Sequence, residues 1–420
     1  MSTSKKVWRL KKGSDRRFRA GHPWVYSNEL QSSPKGIEPG ALVELYDVGG
    51  KFLAQGFGNP SSLIAFRTLT TQSESDPTTL EAITQKLDAA FELRKRLGYL
   101  NKRNSHRLCF GEADGLPGLI IDHYLGDAGN ACVVQAHTAG AQKILGVVTE
   151  ALKKVCGPDA AVIFRNDAGF RKLEGLEEEE PQVVSNPKKL SLEKFQLRSG
   201  GLTFEADLVN GQKTGFFLDQ AANIELALQR FETLVRASGL KKIKVLDLCS
   251  YVGQWSAHLA QMAKRLEVAL EVTAIDASGP ALSFAAKNIE RNGSGPKIET
   301  LKGDVFDELA KLEEASFDLV ISDPPAFIKG RKDLPTGSHA YLQLNTQATR
   351  VLKRQGGGIV ACSCSGLLDE ETFLQILSKA ARRSTREIHW VGRGTQAPDH
   401  PVLAQFPEGR YLKAFIGFTH

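Results

Sequence analysis

The chain has 420 residues and a formal net charge of +6, with 41% hydrophobic and 24% charged residues. This length predicts two or three domains, and this composition is typical of a globular protein in water. No stretch approaches the run of about 18 apolar residues that a membrane span needs. The basic N-terminus lacks the apolar core of a secretory signal, so we expect a cytoplasmic protein with no membrane partner.

The positive charge is concentrated at the N-terminus. Residues 1–73 contain 11 Lys and Arg against five Asp and Glu, so this segment carries the whole net charge. The string ALVELYDVGGKFLAQGFG predicts a hairpin that turns at Gly49 and Gly50. A basic, folded segment beside a neutral body indicates a module that binds nucleic-acid phosphates, although for the first dozen residues alone a solvated tail is the favoured interpretation.

The middle of the chain mixes helical and strand patterns. TQSESDPTT at 71–79 is a candidate linker, and residues 80–100 have apolar residues at helical spacing. Turn residues in DGLPG separate two apolar runs of a second hairpin, and a helix at 138–155 and the strand AVIFR follow. We therefore predict three domains, with a β-rich module at 1–73, a small α/β domain at 74–190 and a larger domain at 191–420.

From about residue 200 the pattern becomes regular. Short apolar strands alternate with helical stretches, and alternation of this kind indicates βαβ units in a mostly parallel sheet with helices on both faces. The strands are KVLDL, EVTAID, KIETL, FDLVIS and GGIVACS, and the helices lie near 254–266, 279–292, 305–314, 338–354 and 369–383. Such an α/β sheet binds ligands at the carboxyl ends of its strands.

Three acids follow predicted strands in succession. Asp247 ends the strand of VLDLCSYVGQW, Asp276 ends the next, and Asp304 follows the third. Gly253 alone follows the first strand, so the dinucleotide fingerprint of a nicotinamide oxidoreductase is missing. Asp276 is placed to hydrogen-bond a ribose and Asp304 an adenine amino group, whereas any one of these acids could instead cap a helix.

The fourth strand runs into the string DPPAF. Pro324 and Pro325 fix the backbone and remove two donors, which makes a rigid lip. Asp323 supplies an edge contact and Phe327 a stacking face, as recognition of a flat nucleobase requires.

The six cysteines are scattered and contain no zinc-type spacing, so we expect free thiols and no metal site. Cys362 and Cys364 form a CxC pair after the fifth strand. The pair alone leaves open a metal pair, two buried thiols or a nucleophile.

The order of these motifs resembles that of class I S-adenosylmethionine-dependent methyltransferases. More narrowly, the chain resembles the large-subunit ribosomal RNA methyltransferase I family, which has an N-terminal PUA domain, a small central domain and a Rossmann-like catalytic domain. The strings that carry the resemblance are RRFRAGHPWVYSNEL, GEADGLPGLIIDHY, NGQKTGFFLDQ, DPPAF, SCSG and APDHPVLAQFPEGRYLKAF.

This resemblance implies that the chain forms 5-methylcytosine in large-subunit (23S) ribosomal RNA, with S-adenosylmethionine as its cofactor. Cys364 would add to cytosine carbon 6, Cys362 would serve packing, and Asp323, as a carboxylate or as the neutral acid, would contact the cytosine edge. Lys213 and Gln220 are further candidates for closing the pocket. The resemblance implies a cofactor site formed by Asp247, Ser250, Tyr251, Gly253, Asp276, Asp304, Asp323 and Pro324, with Pro325 and Phe327 at the RNA base.

One departure from the family pattern concerns product release. Many RNA carbon-5 methyltransferases carry a second Cys after the proline of the fourth motif, and here Asp-Pro-Pro is followed by Ala326. Asp399 and His400 are candidates for the missing base. The alternatives are a guanine N-methyltransferase that uses DPPAF without a covalent intermediate and a non-catalytic RNA-binding assembly factor. A homodimer is a further expectation.

Overall fold

The computed structural model describes residues 6–73, 76–100 and 104–420. The chain divides into two compact units. The first comprises Met1–Arg198, Asp207–Phe216 and Asp399–Gly409, and the second comprises Ser199–Ala206, Phe217–Pro398 and Arg410–His420. No helix in the described ranges is long and apolar enough to cross a membrane.

The first unit begins with a five-stranded sheet in the order β1-β3-β4-β5-β2. The predicted hairpin is present, and the Gly50 N–H donates to the Asp47 carbonyl across its turn at 3.2 Å. Trp8, Leu45 and Phe66 lie in the buried core of this sheet. Its elements are β1 (Lys6–Arg9), α1 (Asp15–Arg19), β2 (Trp24–Val25), β3 (Ala41–Tyr46), β4 (Phe52–Gly58) and β5 (Phe66–Thr70).

A second five-stranded sheet follows in the order β10-β9-β8-β7-β6. The DGLPG hairpin joins β6 and β7 as predicted, and Thr79 caps α2 by accepting the Ala82 N–H at 3.2 Å. The helix predicted at 138–155 is interrupted at Ile144, whose backbone (φ −98°, ψ 4°) leaves helical geometry. The elements are α2 (Leu80–Arg96), β6 (His106–Phe110), β7 (Leu119–Leu125), β8 (Asn130–Ala136), α3 (Ala139–Lys143), α4 (Leu145–Val155), β9 (Ala161–Phe164) and β10 (Gln182–Ser185), followed by β11 (Phe195–Ser199), which lies outside this sheet.

The second unit is built on a seven-stranded sheet in the order β15-β14-β13-β16-β17-β19-β18. Neighbouring strands from β15 to β17 pair in parallel, and β19 is antiparallel to both of its neighbours. The strands are β12 (Leu202–Ala206), outside this sheet, and β13 (Lys242–Leu248), β14 (Ala269–Asp276), β15 (Lys297–Lys302), β16 (Leu319–Ser322), β17 (Gly358–Ser363), β18 (Ile388–Gly394) and β19 (Lys413–Thr419).

Helices cover both faces of this sheet, as the strand–helix alternation predicted. Buried residues of α5, α6 and α7 lie on one face, and those of α8, α9 and α10 lie on the other. Because the chain leaves β13 in one direction and returns beside it at β16, the strand order reverses between these two strands, where parallel sheets open a crevice. The helices are α5 (Ala221–Ser238), α6 (Gln254–Leu266), α7 (Gly279–Asn292), α8 (Val305–Ala310), α9 (Leu334–Val351) and α10 (Glu370–Arg383).

A buried ion pair joins α2 to the loop after β6 in the first unit. Arg94 is 0% exposed, and its guanidinium donates to both Asp114 oxygens at 2.5 and 2.8 Å. It also donates to the carbonyls of Arg107 and Asp399 at 2.8 and 2.7 Å. Breaking such a pair leaves a charge buried without its partner.

We therefore expect Arg94→Met to lower the free energy of unfolding by about 3–5 kcal/mol. The neighbouring Lys95 forms an exposed pair with Glu92 at 2.8 Å, so Lys95→Met on the same helix is a matched control. That control should cost less than about 1 kcal/mol. Urea denaturation of the two variants measures both values, and equal losses would contradict the role assigned to Arg94.

Candidate functional site

The crevice at the strand reversal is bordered by the loop that follows β13. Three of its residues have left-handed backbones, Cys249 (φ 59°), Tyr251 (φ 48°) and Gly253 (φ 74°). A side chain at Gly253 would place its first carbon 2.9 Å from the Ala285 Cα of α7, so only glycine fits there. Non-glycine residues hold this conformation only where their surroundings enforce it, and such segments concentrate at binding sites.

Asp247 lies beneath this loop and is 1% exposed. Its Oδ2 accepts from Ser256 Oγ at 2.5 Å, whereas its Oδ1 has no hydrogen-bond partner among the described residues. The pKa of Asp247 is raised to about 7, chiefly because the carboxyl is buried; the hydrogen bond from Ser256 lowers it, and the negative charges of Asp323 and Asp276 raise it. Ser250 Oγ is a second buried atom without a partner in the described part of the chain, so two polar atoms remain available to a ligand.

Asp276 at the end of β14 holds the loop in place. Its Oδ2 accepts the Tyr251 N–H at 2.9 Å and its Oδ1 accepts the Ser278 N–H at 2.8 Å. The Ser250 N–H also donates to the Ile275 carbonyl at 3.0 Å. The structure thus brings together four of the predicted cofactor residues, which are Asp247, Ser250, Tyr251 and Asp276.

Asp304 follows β15 and caps α8, accepting the Phe306 N–H at 2.9 Å. Its side chain is exposed. The helix-cap role considered for this acid is therefore realised, and an exposed carboxylate at this edge of the sheet still has lone pairs for a second donor.

Asp323 follows β16 on the other side of the crevice. Its Oδ1 accepts from Gln220 Nε2 at 2.8 Å and its Oδ2 accepts from Trp255 Nε1 at 3.0 Å. Gln220 is in turn oriented by Asn223, which donates to its Oε1 at 2.7 Å. Trp255 was not among the predicted site residues, although an indole in the first turn of the helix after VLDLCSYVGQ is a donor placed beside the strand end.

The two cysteines of the CxC pair lie in different surroundings. Cys364 follows the end of β17, is half-buried, and its Sγ lies 3.8 Å from the Pro324 carbonyl oxygen. Cys362 is 0% exposed and belongs to the core beneath α5 and α6. Burial, followed by the charge of Asp323, raises the pKa of the Cys362 thiol well above its usual range. Cys364 therefore borders the Asp-Pro-Pro lip, and Cys362 is a core thiol.

The ring of Phe327, the aromatic residue of the lip, is only partly exposed. Pro325 is exposed and Pro324 is buried. The Phe327 ring packs against Tyr341 and Phe306, with centroids 4.8 and 6.1 Å apart, so part of its surface is used inside the protein.

Hydrogen bonds through Ser365 join the lip to the cysteine loop. Its Oγ accepts the Ile328 N–H at 3.1 Å and lies 2.9 Å from Tyr341 Oη. Its carbonyl accepts from Lys413 Nζ at 2.6 Å. Sequence reasoning did not select Lys413, which lies 49 positions after Cys364 and has no local motif.

Three predicted residues belong to the first unit. Lys213 is exposed there and has a left-handed backbone (φ 53°). Asp399 is 0% exposed, and its carboxylate accepts from the Arg107 N–H at 2.8 Å and from Tyr99 at 3.3 Å, with His400 at 2.9 Å. These contacts give Asp399 and His400 a structural role.

The first unit also groups three residues that sequence spacing did not connect. Ligand atoms of His123, Cys132 and Cys156 lie within 4.8 Å of one another. A hydrogen bond with Cys156, and then burial, raises the pKa of the Cys132 thiol well above its usual range. Asn130 donates to His123 Nε2 at 3.1 Å and to the Cys156 carbonyl at 2.9 Å, so the local hydrogen bonds suit protonated thiols beside a neutral imidazole.

Comparison with known proteins supplies independent information. The family described as PUA-like domain matches residues 9–71, and the family described as FtsJ-like methyltransferase matches residues 223–392. A Ribosomal RNA large subunit methyltransferase I from Erwinia tasmaniensis is 34% identical over 410 residues, covering 97% of both chains. The protein of the same name from Photobacterium profundum is 34% identical over 422 residues, covering 98% of both chains.

Among solved structures, the protein SMU.776, crystallised in complex with SAH, superposes with a TM-score of 0.76. The alignment covers 99% of this chain and 100% of that chain at 18% identity, which shows a shared fold.

The burial of Asp247 generates a pH-dependent stability that can be measured without any ligand. Its folded-state pKa of about 7 lies above the value of about 3.9 in an unfolded chain. Between these values the folded protein binds more protons than the unfolded chain, so rising pH removes stability, and the loss is complete above about pH 7. As the pH rises through this window, the free energy of unfolding of Asp247→Asn should therefore increase relative to that of the wild type by up to about 1.4 kcal/mol per pH unit.

Urea denaturation at a series of pH values gives this difference. Ser256→Ala removes the hydrogen bond that lowers the Asp247 pKa, so in that variant the upper end of the window should move to higher pH. A difference between Asp247→Asn and wild type that stays constant with pH would show that the buried carboxyl does not titrate as described.

Proposed function

Since the chain belongs to the ribosomal RNA large subunit methyltransferase I family, we propose that it methylates carbon 5 of a cytosine in large-subunit ribosomal RNA, with Cys364 as a covalent nucleophile. Membership of the family supports S-adenosylmethionine-dependent methylation of this RNA, and to this we add the proposal that the methylated atom is carbon 5 of a cytosine. The observation that carries it is the position of Cys364 Sγ, 3.8 Å from the Pro324 carbonyl oxygen of the lip.

The residues at the ends of β13 and β14, and in the loop that follows β13, are suited to hold the cofactor. Asp247 Oδ1 and Ser250 Oγ are buried acceptors without partners in the described residues, and Gly253 lets the loop lie close to α7. We assign Asp276 to the ribose hydroxyls, Asp304 to the adenine amino group, and Ser250, Tyr251 and Pro324 to the walls around the methionine part. S-adenosylmethionine bound there supplies an electrophilic methyl carbon on a sulfonium.

Cytosine carbon 5 is a weak nucleophile, and this is the reason that a thiol is needed. The Cys364 thiolate forms a bond to carbon 6, and the ring electrons displaced by this addition make carbon 5 nucleophilic. After the methyl group has been transferred, loss of the carbon-5 proton expels the Cys364 sulfur and restores the aromatic ring. The thiolate is thus regenerated, and one proton is released for each methyl group transferred.

Asp323 is assigned to the cytosine edge. Both of its oxygens accept N–H groups, from Gln220 and Trp255, and this favours the charged carboxylate over the neutral acid anticipated from the sequence. A carboxylate accepts a hydrogen bond from the cytosine N4 amino group, which is the usual contact between an acid and this base. Pro325, exposed on the lip, and Phe327 are assigned to the base, which must leave its stack to reach the thiol.

RNA binding is assigned in part to the PUA-like segment. Two of its arginines have partners within the segment, because Arg17 pairs with Glu29 at 3.0 Å and Arg19 with Asp15 and Asp47 at 2.6 Å each. Arg16 and Lys12 are exposed in the same segment. These two side chains are therefore better candidates for phosphate contacts than Arg17 and Arg19.

Three broader expectations extend the proposal. We place the protein in the cytoplasm, where ribosomal RNA is assembled, and we retain domain limits of 1–73, 74–190 and 191–420. Homodimerisation is testable by light scattering of the purified chain.

Removing the nucleophile should abolish turnover without removing the cofactor site. We expect Cys364→Ala and Cys364→Ser to lower the rate of 5-methylcytosine formation by about a thousandfold or more, because no covalent adduct can form. Mass spectrometry of nucleosides from large-subunit RNA measures the product, and calorimetry with S-adenosylmethionine should show unchanged affinity.

The matched control is Cys362→Ser, in the same CxC pair. It should lower stability, because it places a hydroxyl in the core, and leave the rate per folded molecule largely intact. A guanine N-methyltransferase would retain activity in Cys364→Ser and form methylguanine, and an assembly factor without activity would bind RNA but form neither product. Either outcome would refute the carbon-5 proposal.

Charge removal on the N-terminal segment tests the RNA-binding role. Lys12→Ala combined with Arg16→Ala should weaken RNA binding and reduce the slope of log affinity against log salt by about 1.4 for single-stranded RNA, from about 0.7 per phosphate contact. The control is Lys153→Ala combined with Lys154→Ala, which removes the same charge from α4. Filter binding at several salt concentrations measures both slopes, and equal slopes would exclude the assigned contacts.

A further inference from the structure

A nucleophilic cysteine must be available as a thiolate, and the surroundings of Cys364 include groups that oppose this form. The Pro324 carbonyl oxygen accepts from the Cys364 thiol, which favours the protonated state. Burial, followed by the negative charge of Asp323, raises the pKa of Cys362, two residues before Cys364 in the chain. A thiolate at Cys364 therefore needs a compensating positive charge.

Lys413 brings a positive charge to the loop that contains Cys364. It is the first residue of β19, and its backbone lies opposite Ser363 in the antiparallel register with β17. Its Nζ donates to the Ser365 carbonyl at 2.6 Å. The lysine is thus opposite the residue before Cys364 and hydrogen-bonded to the residue after it, which holds its ammonium group beside this position of the loop.

The electrostatic surroundings connect the same two side chains. Burial lowers the pKa of Lys413 to about 8, and the charge of Cys364 acts in the opposite direction, ahead of the acids Asp369 and Glu370 at the start of α10. At neutral pH the half-buried lysine is therefore mostly an ammonium. The Ser365 carbonyl accepts its hydrogen bond, and the neighbouring negative charges favour its protonated form. Because an interaction between two titrating groups is reciprocal, an ammonium that gains from a thiolate also stabilises it.

Other polar groups nearby do not take this role. Ser365 Oγ is engaged by the Ile328 N–H and lies in hydrogen-bond reach of Tyr341 Oη. Burial raises the pKa of Tyr341, so its phenol stays neutral, and Tyr411, two residues before Lys413, donates to Asp219 at 2.6 Å. Asp323, Asp369 and Glu370 carry the wrong sign.

We propose that Lys413 is a positioning residue that holds Cys364 in the thiolate form. Its effect on thiol reactivity does not require RNA, whereas its consequence for methylation rests on the proposed function. The lysine forms no bond to substrate, and it acts by keeping its ammonium beside the sulfur until carbon 6 of the base is attacked.

Alkylation of Cys364 by iodoacetamide tests the inference in the full chain, because only the thiolate reacts. Peptide mass spectrometry isolates position 364 from the other half-buried cysteines, Cys156 and Cys249. Lys413→Met keeps the apolar stem and removes the charge, so at about pH 7 its alkylation rate should fall by about tenfold, equivalent to a shift of one pH unit in the thiol titration. Above about pH 8 the difference should narrow, because Lys413 loses its proton in the wild type.

Lys413→Arg keeps a positive charge and should retain most of the wild-type reactivity, and Lys413→Gln replaces Lys413→Met if the latter lowers the melting temperature. If Lys413 had only a structural role, all of these variants would have a changed melting temperature, and the dependence of the Cys364 alkylation rate on pH would stay the same. Unchanged alkylation profiles in Lys413→Met and Lys413→Gln would overturn the inference.

Methylation assays separate this outcome from failure of the proposed function. If Cys364→Ala abolishes 5-methylcytosine formation while the charge-removing variants alkylate normally, the lysine inference fails and the nucleophile stands. If Cys364→Ala keeps full activity while the alkylation profile shifts with Lys413, the nucleophile fails and the ion-pair inference stands.

Discussion

The pairing of β16 between β13 and β17 is the constraint on which the site depends. Parallel strands end at the same edge of a sheet, and the register aligns Ser322 with Leu248 on one side and with Ala361 on the other. The loop after β13, the Asp-Pro-Pro lip and the cysteine loop therefore emerge beside one another. A slip of one residue in either pairing would turn every side chain to the opposite face and separate them.

The edge created in this way concentrates negative charge. Asp247 and Asp276 lie at the ends of β13 and β14, and Asp323 follows the neighbouring β16. The negative charges of Asp323 and Asp276 add to the effect of burial in raising the pKa of Asp247. Burying acids near one another lowers stability, and the αL residues of the neighbouring loop add strain. A site that receives a sulfonium cation gains from this arrangement, because the cation offsets the repulsion that the protein retains without it.

The same edge gives two neighbouring cysteines different properties. Cys362 is on β17 and is enclosed in the core, while Cys364 follows the strand and borders the lip. Two residues suffice for this change because β17 ends at Ser363, after which side chains are no longer fixed by the alternation of the sheet. The bonds of Ser365 to the lip and to Lys413 then determine where the loop lies.

The sequence by itself determined the succession of elements in the second unit, because apolar periodicity and turn residues are local signals. It placed α6 and α7 at their observed limits and put Asp276 at a strand end. Limits were less accurate where the local signal is weak, as in the helix predicted at 305–314, which ends at Ala310, and the helix predicted at 338–354, which begins at Leu334.

Only the tertiary structure decided which distant side chains meet. Asp323 receives hydrogen bonds from Trp255 and Gln220, which lie 68 and 103 positions away in the chain, and Lys413 reaches the cysteine loop from a strand 48 positions after Ser365. These contacts depend on strand order and register. Both are set by packing across the whole sheet, so no single segment of the sequence contains a pattern that predicts them. The CxC spacing alone likewise could not show which thiol is buried, since that depends on where β17 ends against its neighbours.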